Sequence, residues 1–314
     1  MKRSPRPIVI AARGSRLAVL QAEMVGRALQ RVDPGLAVEY RHLTSDGDRV
    51  LDRPLAEVGG KGLFTKVVDD AVLCGLCDVA VHSLKDVPSE LPTGLQLVAT
   101  PRRADPRDVL VTRHDAKTVG ALPGTAVIGT SSPRRAAQVR ALLPGARIEL
   151  LRGNVQTRIA KTLDPHGPYD ATLLAAAGLG RLGLLKDHPR LLAVGDMLPA
   201  VAQGALGIVC RADDDLTLRR CLRLNHAATH TAVTAERALV HALGADCHSP
   251  IAVLAHPVEG SVFRLRARVM SVDGRRMAGF DDCCAVGSLR RLVARAVAEL
   301  EAGGAREILR EAAR

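Results

Sequence analysis

A hydroxyl, a cation and a carboxylate follow one short apolar run in the first third of the chain. Within Asp78–Pro88 (DVAVHSLKDVP), the run Val79–Val81 predicts a buried parallel strand, and Ser83, Lys85 and Asp86 come directly after it. In open α/β sheets ligands bind at the carboxyl ends of strands, so this pattern predicts a ligand site with Asp86 as its chemical group. A solvated turn with an incidental ion pair is the alternative.

Two other segments repeat the order of strand, small polar residues and helix. One strand is predicted over Ile8–Ala12 and another over Ala126–Ile128, each followed by a helical pattern. Serine followed by proline at Ser132 predicts a helix N-cap. Helix N-termini attract anions, and guanidinium groups suit carboxylates. The candidate anion-binding residues of these turns are Arg13, Ser15, Thr130, Ser132, Arg134 and Arg135.

Further glycine-rich or cationic turns extend the pattern. Lys61 lies in a glycine-rich loop before a helix predicted over Thr65–Cys74, without the spacing of a phosphate-binding Walker loop. Arg152 and Arg158 are six residues apart across a predicted strand-to-helix turn, so both could face one cleft. The segment 175–183, which ends near Arg181, predicts a flexible turn of small residues that lets backbone approach a ligand. Gln203 is the lone long polar residue of an apolar segment that returns into a buried strand.

Seven cysteines without framework spacing predict free thiols and a reducing, cytoplasmic compartment. Cys74 and Cys77 have redox-motif spacing, but a helix ends there, so the pair is interpreted as structural. Cys247 lies in a predicted loop, where an accessible thiolate is a nucleophile. His82 is interpreted as structural, and no metal site is predicted.

The net charge of +11 suggests an acidic partner. With no Trp, two Tyr and three Phe, base-stacking residues are scarce, and the cations are spread through turns rather than gathered in a run. Small polycarboxylates or phosphates therefore fit better than nucleic acid. No apolar run reaches membrane-spanning length, and no export signal is recognised.

The breaks in the pattern predict three parts. Residues 1–104 with 203–222 form a first α/β domain, residues 105–202 a second, and residues 223–314 an α+β domain that ends in a long helix. Two α/β lobes joined by two crossings predict the hinged cleft of periplasmic anion-binding proteins.

Several motifs, in order along nearly the whole chain, resemble the porphobilinogen deaminase (hydroxymethylbilane synthase) family. They lie at Arg13–Ala18, Gly59–Phe64, Ala80–Pro88, Gly129–Arg135, Leu151–Val155, Leu198–Ala205 and Thr234–Arg237. The resemblance implies an enzyme, a transferase that joins four porphobilinogen units into a linear tetrapyrrole and releases ammonia at each addition. It also implies a monomer and a covalent dipyrromethane cofactor, held by a thioether to Cys247.

By motif match, Asp86 is the catalytic carboxylate, and the pyrrole acetate and propionate groups explain the cations. The implied cofactor contacts are Cys247, Ser83, Lys85, Thr130, Ser132, Arg134, Arg135 and Arg158, and the implied substrate contacts are Arg13, Ser15, Lys61, Arg152, Arg181 and Gln203. The chain departs from the family pattern in two places: Ala245–Asp246 replaces Gly-Gly before the cysteine, and Glu57 stands where some members have lysine. A carboxylate beside the thiol is expected to raise its pKa and slow attachment.

Two other functions remain open at this point. A non-catalytic small-anion-binding protein with the same two-lobed cleft would use the arginines but would not need Asp86 or Cys247. A basic nucleic-acid binder would show steeply salt-dependent affinity for DNA or RNA.

Overall fold

The computed structural model describes residues 6–44, 65–246 and 248–313. These residues form two compact units. The first comprises described residues up to 104 together with 205–230, and the second comprises 105–204 with the described residues from 231 onward. The predicted positions Lys61, Glu57 and Cys247 lie outside the described residues.

The first unit is built on a five-stranded mixed sheet in the order β2-β1-β3-β9-β4. Strands β1 and β2 and strands β1 and β3 are parallel, whereas β9 runs antiparallel to both β3 and β4. Its elements are β1 (Ile8–Arg13), α1 (Arg16–Val32), β2 (Val38–Leu43), α2 (Lys66–Leu73), β3 (Val79–Ser83), β4 (Leu95–Ala99), β9 (Leu206–Arg211) and α6 (Asp215–Leu222).

Strand β1 shows why this sheet is buried on both faces. Ile8 and Ile10 pack with Leu29 of α1, while Ala11, which points to the other face, packs with Val68 of α2. Alternate residues of a strand face opposite sides, so a strand covered by helices on both sides must be apolar at every position. The continuous run at the start of the chain meets that requirement.

The second unit contains a four-stranded sheet in the order β5-β8-β6-β7 and an antiparallel sheet β10-β11-β12. The elements of the first sheet are β5 (Asp108–Thr112), β6 (Val127–Gly129), α3 (Pro133–Leu142), β7 (Arg147–Glu149), α4 (Val155–Leu163), β8 (Ala171–Ala175) and α5 (Ala176–Arg181). Helix α7 (Ala227–Ala242) continues from the first unit into the second, which ends with β10 (Ile251–Pro257), β11 (Val262–Met270), β12 (Met277–Ala285), α8 (Leu289–Ala302) and α9 (Ala305–Ala312).

The predicted α/β class with an α+β C-terminal part is confirmed, but two local predictions are wrong. The expected single final helix is two helices, because Gly303 ends α8 and Gly304 takes a left-handed φ of 86° before α9 begins. The segment expected as a flexible turn after Ala175 is helix α5. Leu179 of that helix is fully buried against the sheet, and this packing overrides the low helix propensity of its glycines.

Candidate functional site

The turn after β3 carries the candidate catalytic carboxylate. Residues Leu84–Asp86 form a single 3₁₀ turn, whose first residue donates its backbone N–H to the carbonyl of Ala205 at 3.0 Å. Leu84 is buried, whereas Asp86 is partly exposed. Within the described part of the chain, no group forms a hydrogen bond or ion pair with the Asp86 carboxylate. This carboxylate therefore makes no contribution to the fold through a hydrogen bond or ion pair with the described residues.

The base of this turn is fixed from beneath by close packing. The Leu84 side chain lies over Gly207 of β9, where an added Cβ would come within 2.8 Å of Leu84 Cδ1 and 3.1 Å of Leu97 Cδ1. Only glycine leaves room there for the leucine that precedes Lys85 and Asp86. Position 207 therefore determines how closely the turn can sit on the sheet.

Two polar pairs flank the same strand end. The side chain of Gln21 on α1 is buried, and its amide nitrogen donates a hydrogen bond to Ser83 Oγ at 2.9 Å. His82 and Asp69 are both buried, and His82 Nε2 lies 2.9 Å from Asp69 Oδ1, so each buried side chain has a polar partner within the unit. The structural interpretation of His82 stays a prediction. Gln21 was not among the predicted site residues. Its signal in the sequence is a polar residue on the buried face of an amphipathic helix.

The turn after β1 ends in a helix cap. Ser15 caps α1 by accepting a hydrogen bond from the backbone N–H of Ala18 at 3.3 Å, and Arg13 is the last residue of β1. Because β1 and β3 are parallel neighbours, Arg13 and Ser83 lie at the same edge of the sheet. The first unit therefore gathers Arg13, Ser15, Ser83, Lys85 and Asp86 at its strand ends.

In the second unit the first turn of α3 brings two arginines together. Ser132 is the N-cap of α3, as predicted, and its Oγ accepts a hydrogen bond from the backbone N–H of Arg135 at 3.4 Å. Thr130 Oγ1 in turn accepts from the backbone N–H of Ser132 at 3.1 Å. Arg134 and Arg135 are each only 5% exposed.

Both guanidinium groups pair with Asp108, which is completely buried at the start of β5. Arg134 Nη2 lies 2.8 Å from one carboxylate oxygen and Arg135 Nη2 lies 2.7 Å from the other. Burial by itself would raise the pKa of Asp108, but the two guanidinium groups outweigh it and hold that pKa far below its usual range. Burial lowers the pKa of Arg134, and Asp108 opposes that change.

The remaining contacts fasten this cluster to two loops. Arg134 Nη1 donates to the carbonyl of Leu198 at 2.7 Å, and the amide nitrogen of Gln203 donates to Asp108 Oδ1 at 3.0 Å and to the carbonyl of Pro106 at 2.7 Å. The predicted substrate contact of Gln203 stays a prediction, since its side chain is fully buried here. Among the described residues, the Nε atoms of Arg134 and Arg135 are buried without a hydrogen-bond partner.

Three further predicted arginines lie around the same sheet. Arg152 is buried in the loop after β7, and Arg158 Nε donates to the carbonyl of Gly153 at 2.8 Å. Arg181 Nη2 donates to the carbonyl of Gly204 at 2.7 Å. Burial lowers the pKa of Arg181 to about 10, so this side chain stays cationic at neutral pH.

The departure at Asp246 has a local role. Its Oδ1 accepts hydrogen bonds from the backbone N–H of His248 at 2.9 Å and from Ser249 Oγ at 3.1 Å. An aspartate that bonds backbone two residues further on stabilises a turn. The expectation that this carboxylate slows attachment at Cys247 remains a prediction.

The fold and these turns define an α/β protein with cations and hydroxyls at its strand ends. A sequence model described as "Porphobilinogen deaminase, dipyromethane cofactor binding domain" matches residues 8–219, and one described as "Porphobilinogen deaminase, C-terminal domain" matches residues 230–286. The chain belongs to the porphobilinogen deaminase family.

Curated relatives and solved structures can be compared directly. The porphobilinogen deaminase of Ralstonia nicotianae is 47% identical over 98% of this chain and 92% of its own length, and that of Syntrophobacter fumaroxidans is 44% identical over 98% of both. The L-cystine solute receptor of Neisseria gonorrhoeae, in its unliganded open conformation, is 15% identical with a TM-score of 0.39, covering 77% of this chain and 94% of its own. That distant match adds nothing to the family assignment.

Proposed function

We propose that this protein is a hydroxymethylbilane synthase. It condenses four molecules of porphobilinogen into a linear tetrapyrrole and releases one ammonia at each addition. The observation that carries the proposal is Asp86, a carboxylate without a partner among the described residues, placed directly after a strand within the segment that matches the family's cofactor-binding domain. A non-catalytic anion-binding protein has no use for such a group, and the family match does not favour that alternative.

The carboxylate of Asp86 serves the charge that develops on the substrate. Losing ammonia from an aminomethylpyrrole leaves a cationic azafulvene, which a nearby carboxylate stabilises together with the pyrrole N–H groups. The same carboxylate can carry a proton to the leaving amine and accept the proton released from the attacked carbon. Ser83 and Lys85 directly precede it at the same strand end, and the Gln21 amide holds the Ser83 hydroxyl in place.

The residues of the second unit fit a dipyrromethane cofactor. This group supplies a primer on which the product chain is assembled, and each of its pyrrole rings carries acetate and propionate. Two buried guanidinium groups face one buried carboxylate at a helix N-terminus, so the cluster keeps an excess of positive charge, and among the described residues its Nε–H donors have no partner. Carboxylates satisfy both conditions. Thr130, Ser132, Arg134, Arg135 and Arg158 would hold the cofactor, with Cys247 as its attachment point. Ser83 and Lys85 are the further cofactor contacts assigned by motif match.

The assigned substrate contacts divide between the units. Arg13 and Ser15 belong to the first, and Arg152, Arg181 and Gln203 to the second, while Lys61 completes the assignment by motif match.

The proposal further includes a monomer in the cytoplasm. Among the described residues no helix is long and apolar enough to cross a membrane, and six cysteines are free thiols. Light scattering after size exclusion tests the monomer, which a dimer mass would contradict.

The intact mass of the purified protein, beside its Cys247→Ser variant, tests the function. We expect an adduct of dipyrromethane mass on the wild-type chain and none on the variant. Incubation with porphobilinogen should then give ammonia and a linear tetrapyrrole from the loaded protein alone. An unmodified wild-type chain that also fails to acquire the adduct from porphobilinogen would leave the anion-binding alternative as the better account.

A further inference from the structure

The cluster at the start of α3 poses a problem of charge. Arg134 and Arg135 occupy the first turn of the helix, where the backbone dipole already places positive potential. Cations belong at the opposite end of a helix, and burial makes the arrangement more costly. Among the described residues, Asp108 is the only one whose carboxylate pairs with both guanidinium groups.

The accessible part of these arginines is small. Each side chain is about nineteen-twentieths buried, and in each group one Nη atom is committed to Asp108. Arg134 also commits its other Nη to Leu198. Because so little guanidinium surface remains, a ligand carboxylate can meet these groups only in the orientation that Asp108 sets for them.

Asp108 is itself held in one position. Asp108 is the first residue of β5 and pairs with Ala175 of β8 in the sheet. Its Oδ1 accepts hydrogen bonds from both Gln203 and Arg135. Gln203 also holds the carbonyl of Pro106, two residues before Asp108. A fixed strand and a fixed amide therefore determine where the carboxylate lies.

We propose that Asp108 is a positioning residue for the anion-binding arginines. Its carboxylate neutralises one of the two buried positive charges and fixes both guanidinium planes, which leaves one net positive charge, correctly oriented, for an anionic group of the ligand. This inference rests on the proposed function, since the ligand is taken to be the carboxylate-bearing cofactor. Asp108 does not touch the reacting atoms and acts only through Arg134 and Arg135.

The test compares Asp108→Glu with wild type, each with Cys247 and with Cys247→Ser. Glutamate keeps the charge and moves it by one methylene group. A displacement of about 1 Å can cost about 100-fold where a group must be accurately positioned. We expect Asp108→Glu to acquire the adduct at least about tenfold more slowly, or to lose most of the rise in melting temperature that the adduct gives wild type over its Cys247→Ser form.

The thermal difference between loaded and unloaded protein separates positioning from structure. A purely structural loss lowers both melting temperatures equally and leaves their difference unchanged. Asp170→Asn is the matched control, because Asp170 also contacts an arginine and a histidine in this unit without touching Arg134 or Arg135. We expect it to lower both temperatures and to load at the wild-type rate.

Asp108→Glu that loads at the wild-type rate with the full thermal gain would overturn the inference and leave the proposed function standing. A wild-type chain that never carries the adduct would overturn both. If Asp108→Glu does not fold, Gln203→Met keeps Asp108 and both arginines but removes the amide that holds the carboxylate. We expect slower loading from that variant as well, and loading at the wild-type rate would contradict the inference.

Discussion

The turn after β3 and the first turn of α3 hold their charged groups in opposite ways. Asp86 is partly exposed and has no hydrogen-bond partner among the described residues, so its position depends on Leu84, which packs over Gly207 and donates its backbone N–H to Ala205. Arg134 and Arg135 are buried and are fixed by a fully buried carboxylate. Apolar packing leaves a charge available for chemistry, whereas ion pairing fixes a charge for recognition. Replacing the charged group in the turn after β3 should therefore change turnover but not stability. Replacing one in the first turn of α3 should change both.

The largest effect is expected from Asp86→Asn. Loss of a carboxylate that stabilises charge and transfers protons should reduce tetrapyrrole formation about 10²–10⁴-fold. Because no described residue bonds the carboxylate, the free energy of unfolding should change by no more than about 0.5 kcal/mol. Steady-state kinetics with porphobilinogen and denaturant unfolding measure the two quantities. Asp70→Asn, an exposed carboxylate on α2, is the control and should leave both unchanged.

A second test of the comparison is Arg134→Gln. Breaking a buried ion pair leaves a poorly compensated charge and costs about 3–5 kcal/mol. Asp108 keeps Arg135 and Gln203 as partners, so we expect the lower end of that range, together with impaired cofactor loading. Lys85→Gln, in the partly exposed turn after β3, should lower the free energy of unfolding by no more than about 1 kcal/mol. Equal losses of stability in chemical unfolding would remove the distinction between the two turns.

Gly207→Ala tests how far the packing of Leu84 determines the position of the catalytic turn. Its methyl group would enter the space of Leu84 and Leu97, and such overpacking costs about 1–3 kcal/mol. Turnover should fall, and cofactor loading should slow with it, because Leu84 lies in the turn that carries Ser83, Lys85 and Asp86. Gly35→Ala has open space around its added Cβ and should change nothing. Wild-type turnover in Gly207→Ala would show that the turn is held by other contacts.

The smallest effects are expected from the two helix caps. Ser15→Ala and Ser132→Ala each remove one N-cap hydrogen bond, worth about 1 kcal/mol. Thermal unfolding should register similar losses in both variants. Only Ser132→Ala should also slow loading of the cofactor, because Ser132 begins the helix that carries Arg134 and Arg135. Slower loading in Ser15→Ala would contradict this distinction between the two caps.

Local sequence signals predicted the parts of this molecule that depend on local physics. Ser132 followed by Pro133 predicted a helix start because cap and proline act on adjacent backbone, and the apolar run at Ile8–Ala12 predicted a strand. Helix α5 was missed because Leu179 stabilises it through tertiary packing, which outweighs glycine propensity.

The role of Asp108 could not be read from spacing. Its partners lie 26 and 27 residues further along the chain, and Gln203 lies 95 residues away, so only the folded sheet brings them together. A sequence signal did exist, since an aspartate opens a buried strand and is followed directly by three apolar residues. A charge in that position needs a buried partner. The sequence indicates the need but does not identify the arginines that meet it.

The position of β9 determines when the first sheet can finish folding during synthesis. This strand lies inside the first sheet, between β3 and β4, yet its residues are 206–211 and follow the whole of the 105–204 segment. When residues up to 104 have left the ribosome and residues 206–211 have not, β3 lacks one neighbour, and β4 lacks its one partner among the described strands. The first unit to begin is therefore completed only after the inserted segment has been synthesised. Chaperones that protect exposed strand edges should meet this chain during that interval.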